Sequence, residues 1–168
     1  MTAEHDDWLK RYLLAWEGHS LSPFPQIPGQ WFGQVEEQFL REVGLPSGPH
    51  FTFDGTCQSL SFEGSDYLAF GRLGPFFLCV RQSDRSIWIV RPPSFGVVYC
   101  NSGIIEFAKC LTYLRRDGTD HSGRTVAEVM AHHRGEILSR DGSALELGSY
   151  WEGRLQDIEE WEEEERSG

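Results

Sequence analysis

From about residue 50 to residue 100 the chain alternates apolar and polar side chains in six successive segments, HFTFDG, QSLSFEG, DYLAFGRL, FFLCVRQ, SIWIVR and VVYC, set apart by Gly, Pro, Ser and Asp clusters. Extended backbone turns successive side chains to opposite faces, so a period of two over this stretch predicts four to six strands. Ser83-Asp84-Arg85-Ser86 is a short polar turn between two β-prone runs, which predicts an antiparallel hairpin. Alternating βαβ units are absent, and with them the usual dinucleotide-binding architecture. The signatures G-x-G-x-x-G, G-x-x-x-x-G-K-[ST] and G-x-S-x-G are missing too.

On either side of this stretch the period changes to that of a helix. Trp8, Leu9, Tyr12, Leu13 and Trp16 share one helical face, and the segment from Asp6 to Glu17 reads as a helix that docks on the fold. Gly18 to Gln30 carries three prolines and reads as a connector without a regular ladder. Phe32, Val35, Phe39, Leu40 and Val43 return to helical spacing, closed by Gly44 and Pro46. Beyond the strands, Asn101-Ser102 offers an N-cap to a helix bearing Ile104, Phe107, Ala108, Leu111 and Leu114. Thr125-x-x-Glu128 and Ser149-x-x-Glu152 both have capping-box spacing, and the second opens a helix with Trp151, Leu155, Ile158 and Trp161 along one face. Helices at both ends of a run of strands predict an α+β fold with a mainly antiparallel, twisted sheet of about five or six strands, formed as one domain over residues 1–168.

At 168 residues and 39% apolar, the chain is long enough to bury a core without covalent staples. Its cysteines, Cys57, Cys79, Cys100 and Cys110, form no C-x-x-C pair, and three sit inside apolar runs as reduced cysteines do when they pack as small hydrophobes. The acidic N-terminal segment does not look like a secretory signal, and no apolar run nears the roughly 20 residues of a membrane helix, so a cytoplasmic protein is expected. With 26 acids against 15 bases the formal charge is −11, a field that repels phosphate backbones and attracts basic surfaces. Nucleic acid and membrane are therefore not expected as direct partners, whereas a cationic protein is.

Three chemistries are conceivable for these residues. His132, His133 and Glu136, with His121 upstream, form the most ligand-like cluster; neighbouring histidines point about 100° apart on a helix, so only His133 and Glu136 share a face, one or two donors short of a metal set. A nucleophilic pair would have to bring Cys57 or Cys100 to His50 or His121 with no local signature to support it. No carboxylate stands isolated in an apolar run of the kind that raises its pKa for acid–base work. The expectation is thus no catalytic residue, no metal and no enzymatic activity.

The charge is concentrated at the C-terminus. From Glu152 onward there are eight acids and two arginines, net −6. Like charges at i,i+4 disfavour a helix, so the segment beyond Trp161 is expected to fray as an acidic tail over 159–168. Glu152, Asp157, Glu159, Glu160, Trp161, Glu162 and Glu163 are accordingly candidates for contact with a basic partner, with Trp161 either an aromatic anchor or a closure of the core. The hairpin turn around Asp84 is the competing location.

Taken in order, FLREVGLPSGPHFTF, YLAFGRLGPFFLCVRQSDRSIWIV, VVYCNSGIIEFAKCLTYL and SYWEGRLQDIEEWE resemble the fourth subgroup of the SUKH superfamily, bacterial immunity proteins of polymorphic toxin systems. The resemblance spans about residues 39–161 and rests on Gly44-Leu45-Pro46, on Trp88 in the hairpin, and on Asn101-Ser102 ahead of a helix bearing Phe107. It implies the same α+β, SUKH-like fold, no cofactor, and neutralisation of a co-encoded toxin, frequently a nuclease or nucleic-acid deaminase. Members often carry Gly where this chain has Asp84-Arg85, and Ser where it has Gly103. The alternative function is a regulatory protein-binding module of the same fold.

Overall fold

A computed structural model describes residues 3–47, 51–53, 55–91, 96–116 and 123–167. The elements run α1 (Ala3–Ala15), β1 (Leu21–Ser22), α2 (Gln34–Glu42), β2 (Leu45–Pro46), β3 (Phe51–Thr52), β4 (Gln58–Phe62), β5 (Ser65–Leu73), β6 (Phe76–Arg81), β7 (Ile87–Val90), β8 (Val97–Asn101), α3 (Ile104–Arg116), α4 (Val126–Arg140) and α5 (Tyr150–Ser167). All six alternating segments form strands of one antiparallel sheet in the order β3-β5-β6-β7-β8, with β4 pairing the first half of β5 on the same side as β3. The fold is α+β, as the two periods in the sequence require.

Each face of the sheet has its own apolar layer, because the period of two sorts side chains between them. Leu68, Phe70, Leu78, Val80, Ile87 and Ile89 face the helices and join the main core with Phe39, Leu40, Phe107, Leu111, Trp151 and Leu155. Tyr67, Ala69, Cys79 and Val90 face the other way, with Leu60, Phe62, Phe77, Trp88 and Val97 packed around them. The β6–β7 hairpin forms where the Ser83–Ser86 turn predicts it, pairing Val80 with Ile87 and Cys79 with Trp88.

Some expectations are corrected. The proline-rich connector does hold a short ladder: Leu21 pairs with Pro46 and Ser22 with Leu45. Phe24, fully buried, pins this stretch through its N–H to the Leu40 carbonyl at 2.9 Å. The ladder needs Gly44, whose φ of +82° turns the chain out of α2 and whose missing Cβ would sit 2.2 Å from the Ser22 carbonyl oxygen. Tyr12 on α1 donates to the Gly44 carbonyl at 2.9 Å, so α1 docks by its Trp8–Tyr12 side while Leu13 stands half out in solvent. Val35 is likewise exposed on α2.

Asn101 is not a helix cap. It closes β8, is fully buried, and links three elements: its Oδ1 accepts from Trp151 Nε1 at 2.8 Å, and its Nδ2 donates to Asp141 Oδ2 at 2.9 Å. That same Asp141 oxygen accepts the Ser102 N–H at 2.8 Å, while Oδ1 accepts the Ser143 N–H and hydroxyl at 3.1 and 2.7 Å. The Ser143 hydroxyl in turn meets Tyr99 on β8. Gly103, whose carbonyl accepts the Phe107 N–H at 3.0 Å, begins α3 instead. The sequence pair read as a cap thus serves to fasten β8, the end of α4 and the start of α5 together.

Candidate partner-binding surface

Helix α5 begins on a cap built from its own sequence. Ser149 Oγ accepts the Glu152 N–H at 3.2 Å, and Glu152 reaches back to the Gly148 N–H at 2.5 Å, one residue beyond the usual capping-box partner. Trp151 and Leu155 then lie fully inside and Ile158 partly so. At about 100° per residue the position completing this inner stripe is 162, and Glu162 is only 5% exposed. Trp161 falls on the flank and is 58% exposed. Two expectations change: Trp161 does not close the core, and Glu162 does not face solvent. The helix also continues to Ser167 in place of a frayed tail. The inner stripe extends through Ile158 to Glu162, and packing along it outweighs like-charge repulsion of a few tenths of a kcal/mol per pair.

The remaining candidates cover the outer surface of α5. Asp157, Glu159, Glu160, Glu163 and Glu164 are all exposed. The helical angle places Asp157, Trp161 and Glu164 along one flank, and Glu152, Glu159 and Glu163 along the other, with Glu160 between them. Arg154 Nη1 binds Asp157 at 2.9 Å, and Glu152 is committed to the Gly148 cap, so the first outward carboxylates serve the helix itself.

Asp84 in the hairpin turn has an internal role. Its Oδ1 accepts Arg81 Nε at 3.1 Å, the Ser86 N–H at 3.1 Å and the Ser86 hydroxyl at 2.6 Å, and its Oδ2 pairs with the other arm of the Arg81 guanidinium. The Arg81 bond chiefly, against the opposing effect of burial, holds the Asp84 carboxyl down at about 2. Ser86 then accepts Trp88 Nε1 at 2.6 Å, and Arg81 lies over the Trp88 ring at 4.4 Å. Arg85 takes φ +62°, the conformation that favours glycine at this turn.

Among the described residues the chemical candidates do not assemble. His133 is buried with Nδ1 against the Tyr113 hydroxyl, while Glu136 accepts Arg140 Nη1 at 2.9 Å. Among the described residues no three His, Cys, Asp or Glu side chains are grouped to hold a metal. Burial pushes the Cys100 thiol well above its ordinary value and the Cys79 and Cys110 thiols up to about 12, which keeps all three protonated. Cys57 is half-buried; His50 and His121 lie outside the described residues. No helix among the described residues is long and apolar enough to cross a membrane.

A helix-backed antiparallel sheet with an acidic, tryptophan-bearing helix at one edge is an α+β scaffold whose most distinctive surface is charge. A family model described as SUKH-4 immunity protein matches residues 22–157, and the chain belongs to that family. Membership carries an immunity function, exerted by binding a cognate toxin, in a family whose members are generally not enzymes. No curated protein and no solved structure gives a significant match. The matched range contains Asn101, Asp141 and Trp151, while α1 and the turns of α5 beyond Asp157 lie outside it. Sequence reasoning missed the inward turn of Glu162 because it took Trp161, the apolar neighbour, for the next residue of the stripe.

Proposed function

We propose that this protein neutralises a toxin that acts on nucleic acid, a nuclease or a nucleic-acid deaminase, by covering its basic active site with the outer surface of α5. Glu159, Glu160 and Glu163 stand where substrate phosphates would sit, and Trp161, on the opposite flank beside Asp157 and Glu164, supplies an apolar anchor. Asp157 and Glu152 flank the contact, and Glu162 is excluded from it by burial. The observation that carries this reading is an exposed tryptophan among exposed carboxylates on a helix whose opposite face is locked into the core. A surface tryptophan is costly to leave in water and is enriched at the centres of protein interfaces.

The test is co-expression with the products of neighbouring genes. A product that binds this protein, kills cells alone and spares them in the pair is the expected partner, and its activity names the chemistry. If every binder is harmless alone, the chain is a regulatory binding module and the toxin reading is wrong.

A further inference from the structure

The two edges of the sheet are finished differently. At one edge, β8 is fastened to its neighbours: Tyr99 meets Ser143, and Asn101 meets Asp141 and Trp151. The acidic helix α5 starts beside that edge. At the other edge, among the described residues, β4 pairs only with β5, in an unbroken register from Gln58↔Ala69 to Phe62↔Ser65. Its five residues, Gln-Ser-Leu-Ser-Phe, contain no charge and no proline, and the strand has no bulge. Those are the devices by which proteins commonly keep a free edge from pairing. Ser59 and Ser61 on one side of the strand and Gln58 on the other are all exposed, so the helices do not cover it.

The hydrogen-bond alternation follows from the turn. Glu63 and Gly64 both have positive φ (+50° and +75°), giving a two-residue hairpin loop in which Phe62 and Ser65 form the hydrogen-bonded pair. Alternation then makes Leu60↔Tyr67 hydrogen-bonded and leaves the backbone groups of Ser59 and Ser61 directed to the open edge.

We propose that β4 pairs with β4 of a second copy of this chain, antiparallel and about a two-fold axis at Leu60, so that the two sheets become one. In that register Ser59 of each copy exchanges both backbone hydrogen bonds with Ser61 of the other. Leu60 faces its own copy as a non-hydrogen-bonded pair, the arrangement with the closer side chains. Leu60 and Phe62 belong to the apolar layer on the face away from the main core, and the pairing joins the two layers side by side. Charge favours a second copy at this edge over the other. A molecule of net −11 resists self-association, but residues 51–101 hold four acids and four arginines, and the net −6 of the C-terminal segment starts at β8, four strand spacings or roughly 19 Å away.

Two variants of the full chain test the proposal. Ser59→Pro removes one outward N–H without touching the β4–β5 ladder. The parent chain is expected to sediment as a dimer at high micromolar concentration and the variant as a monomer, with its far-ultraviolet dichroism unchanged and its melting equal to the parent's at dilutions where both are monomeric. Leu60→Cys places two thiols across the axis with Cα atoms roughly 4.5 Å apart, within the range a disulfide spans. Under a thiol oxidant it should form a covalent dimer in high yield, while the parent, whose Cys57 does not face its copy, should not. A parent that stays monomeric at every concentration overturns the proposal. So does a dimer that survives Ser59→Pro with no Leu60→Cys cross-link. If the parent is monomeric and Ser59→Pro instead abolishes toxin binding, the edge receives a strand of the toxin and the self-pairing is wrong.

Discussion

The two halves of α5 are built for opposite purposes. Its first turns, with Trp151 and Leu155 fully inside, are tied to β8 and α4 through Asn101 and Asp141. Its later turns carry an inner stripe of Ile158 and Glu162 under an outer surface of Glu159, Glu160, Trp161, Glu163 and Glu164. The first half holds the helix in place through buried hydrogen bonds; the second presents charge where solvent reaches it. Stability and binding should therefore separate along one helix, and substitutions in the two halves should report on different measurements.

The largest effect is expected at the inner end. Trp151→Ala empties a fully buried site and deprives Asn101 Oδ1 of its indole donor, at a cost of about 3–5 kcal/mol. Chemical denaturation should show the midpoint falling with the slope unchanged. Next comes Asp141→Ala, which takes the carboxylate acceptor from the Asn101 amide, leaves the Ser102 N–H without it, and should cost about 2–3 kcal/mol by the same measurement.

Asp141 also predicts an acid response. Burial acts to raise its pKa, but the bonds from Ser102, Asn101 and Ser143 together more than offset this, so the folded value lies below the ordinary carboxylate value. A depressed folded pKa stabilises the native state above the unfolded value of about 3.9, and that contribution is lost as pH falls through the folded value. Asp84, held at about 2, adds to the loss over the same acid range. Stability of the parent should thus fall below about pH 4, and Asp141→Asn should flatten that fall in a pH series of melts.

Smaller still is Asp84→Asn. It weakens an exposed pair with Arg81, and solvent screening limits the change to about 0.5 kcal/mol, read as a small shift in denaturation midpoint. Smallest is the outer half of α5. Glu159→Gln, Glu160→Gln and Glu163→Gln combined should alter stability by less than about 0.5 kcal/mol, since the sites are exposed and relief of like-charge repulsion offsets any lost contact. A larger loss would show that this surface is part of the fold and would erase the contrast between the two halves.

Regular periods made much of this legible in the sequence. All six alternating segments are strands, and the Ser83–Ser86 hairpin and the Thr125 cap form where their residues indicate; Thr125 Oγ1 accepts the Glu128 N–H at 3.2 Å while Glu128 returns to the Thr125 N–H at 2.8 Å. What escaped depended on partners distant in the chain. Asn101 has the chemistry of a cap, and only its approach to Asp141 and Trp151, forty and fifty residues on, makes it a buried link. Leu21–Ser22 pairs with Leu45–Pro46 because Gly44 lets two backbones meet, which proline content alone does not reveal. In α5 the period correctly placed Trp151 and Leu155, and then failed at Trp161 because residue type was allowed to override the angle. The acidic surface was visible as composition, but its division into inner and outer carboxylates was not.

Whether the outer carboxylates of α5 bind the toxin by charge is decided by the association rate of the purified toxin with the parent chain and with the Glu159→Gln, Glu160→Gln, Glu163→Gln variant across a salt series. The parent should bind fast at low salt and slow steeply as salt rises, while the variant should bind at least about tenfold more slowly at low salt with a shallower dependence. Equal rates and equal salt slopes for the two proteins would refute binding by this charge and move the interface off α5.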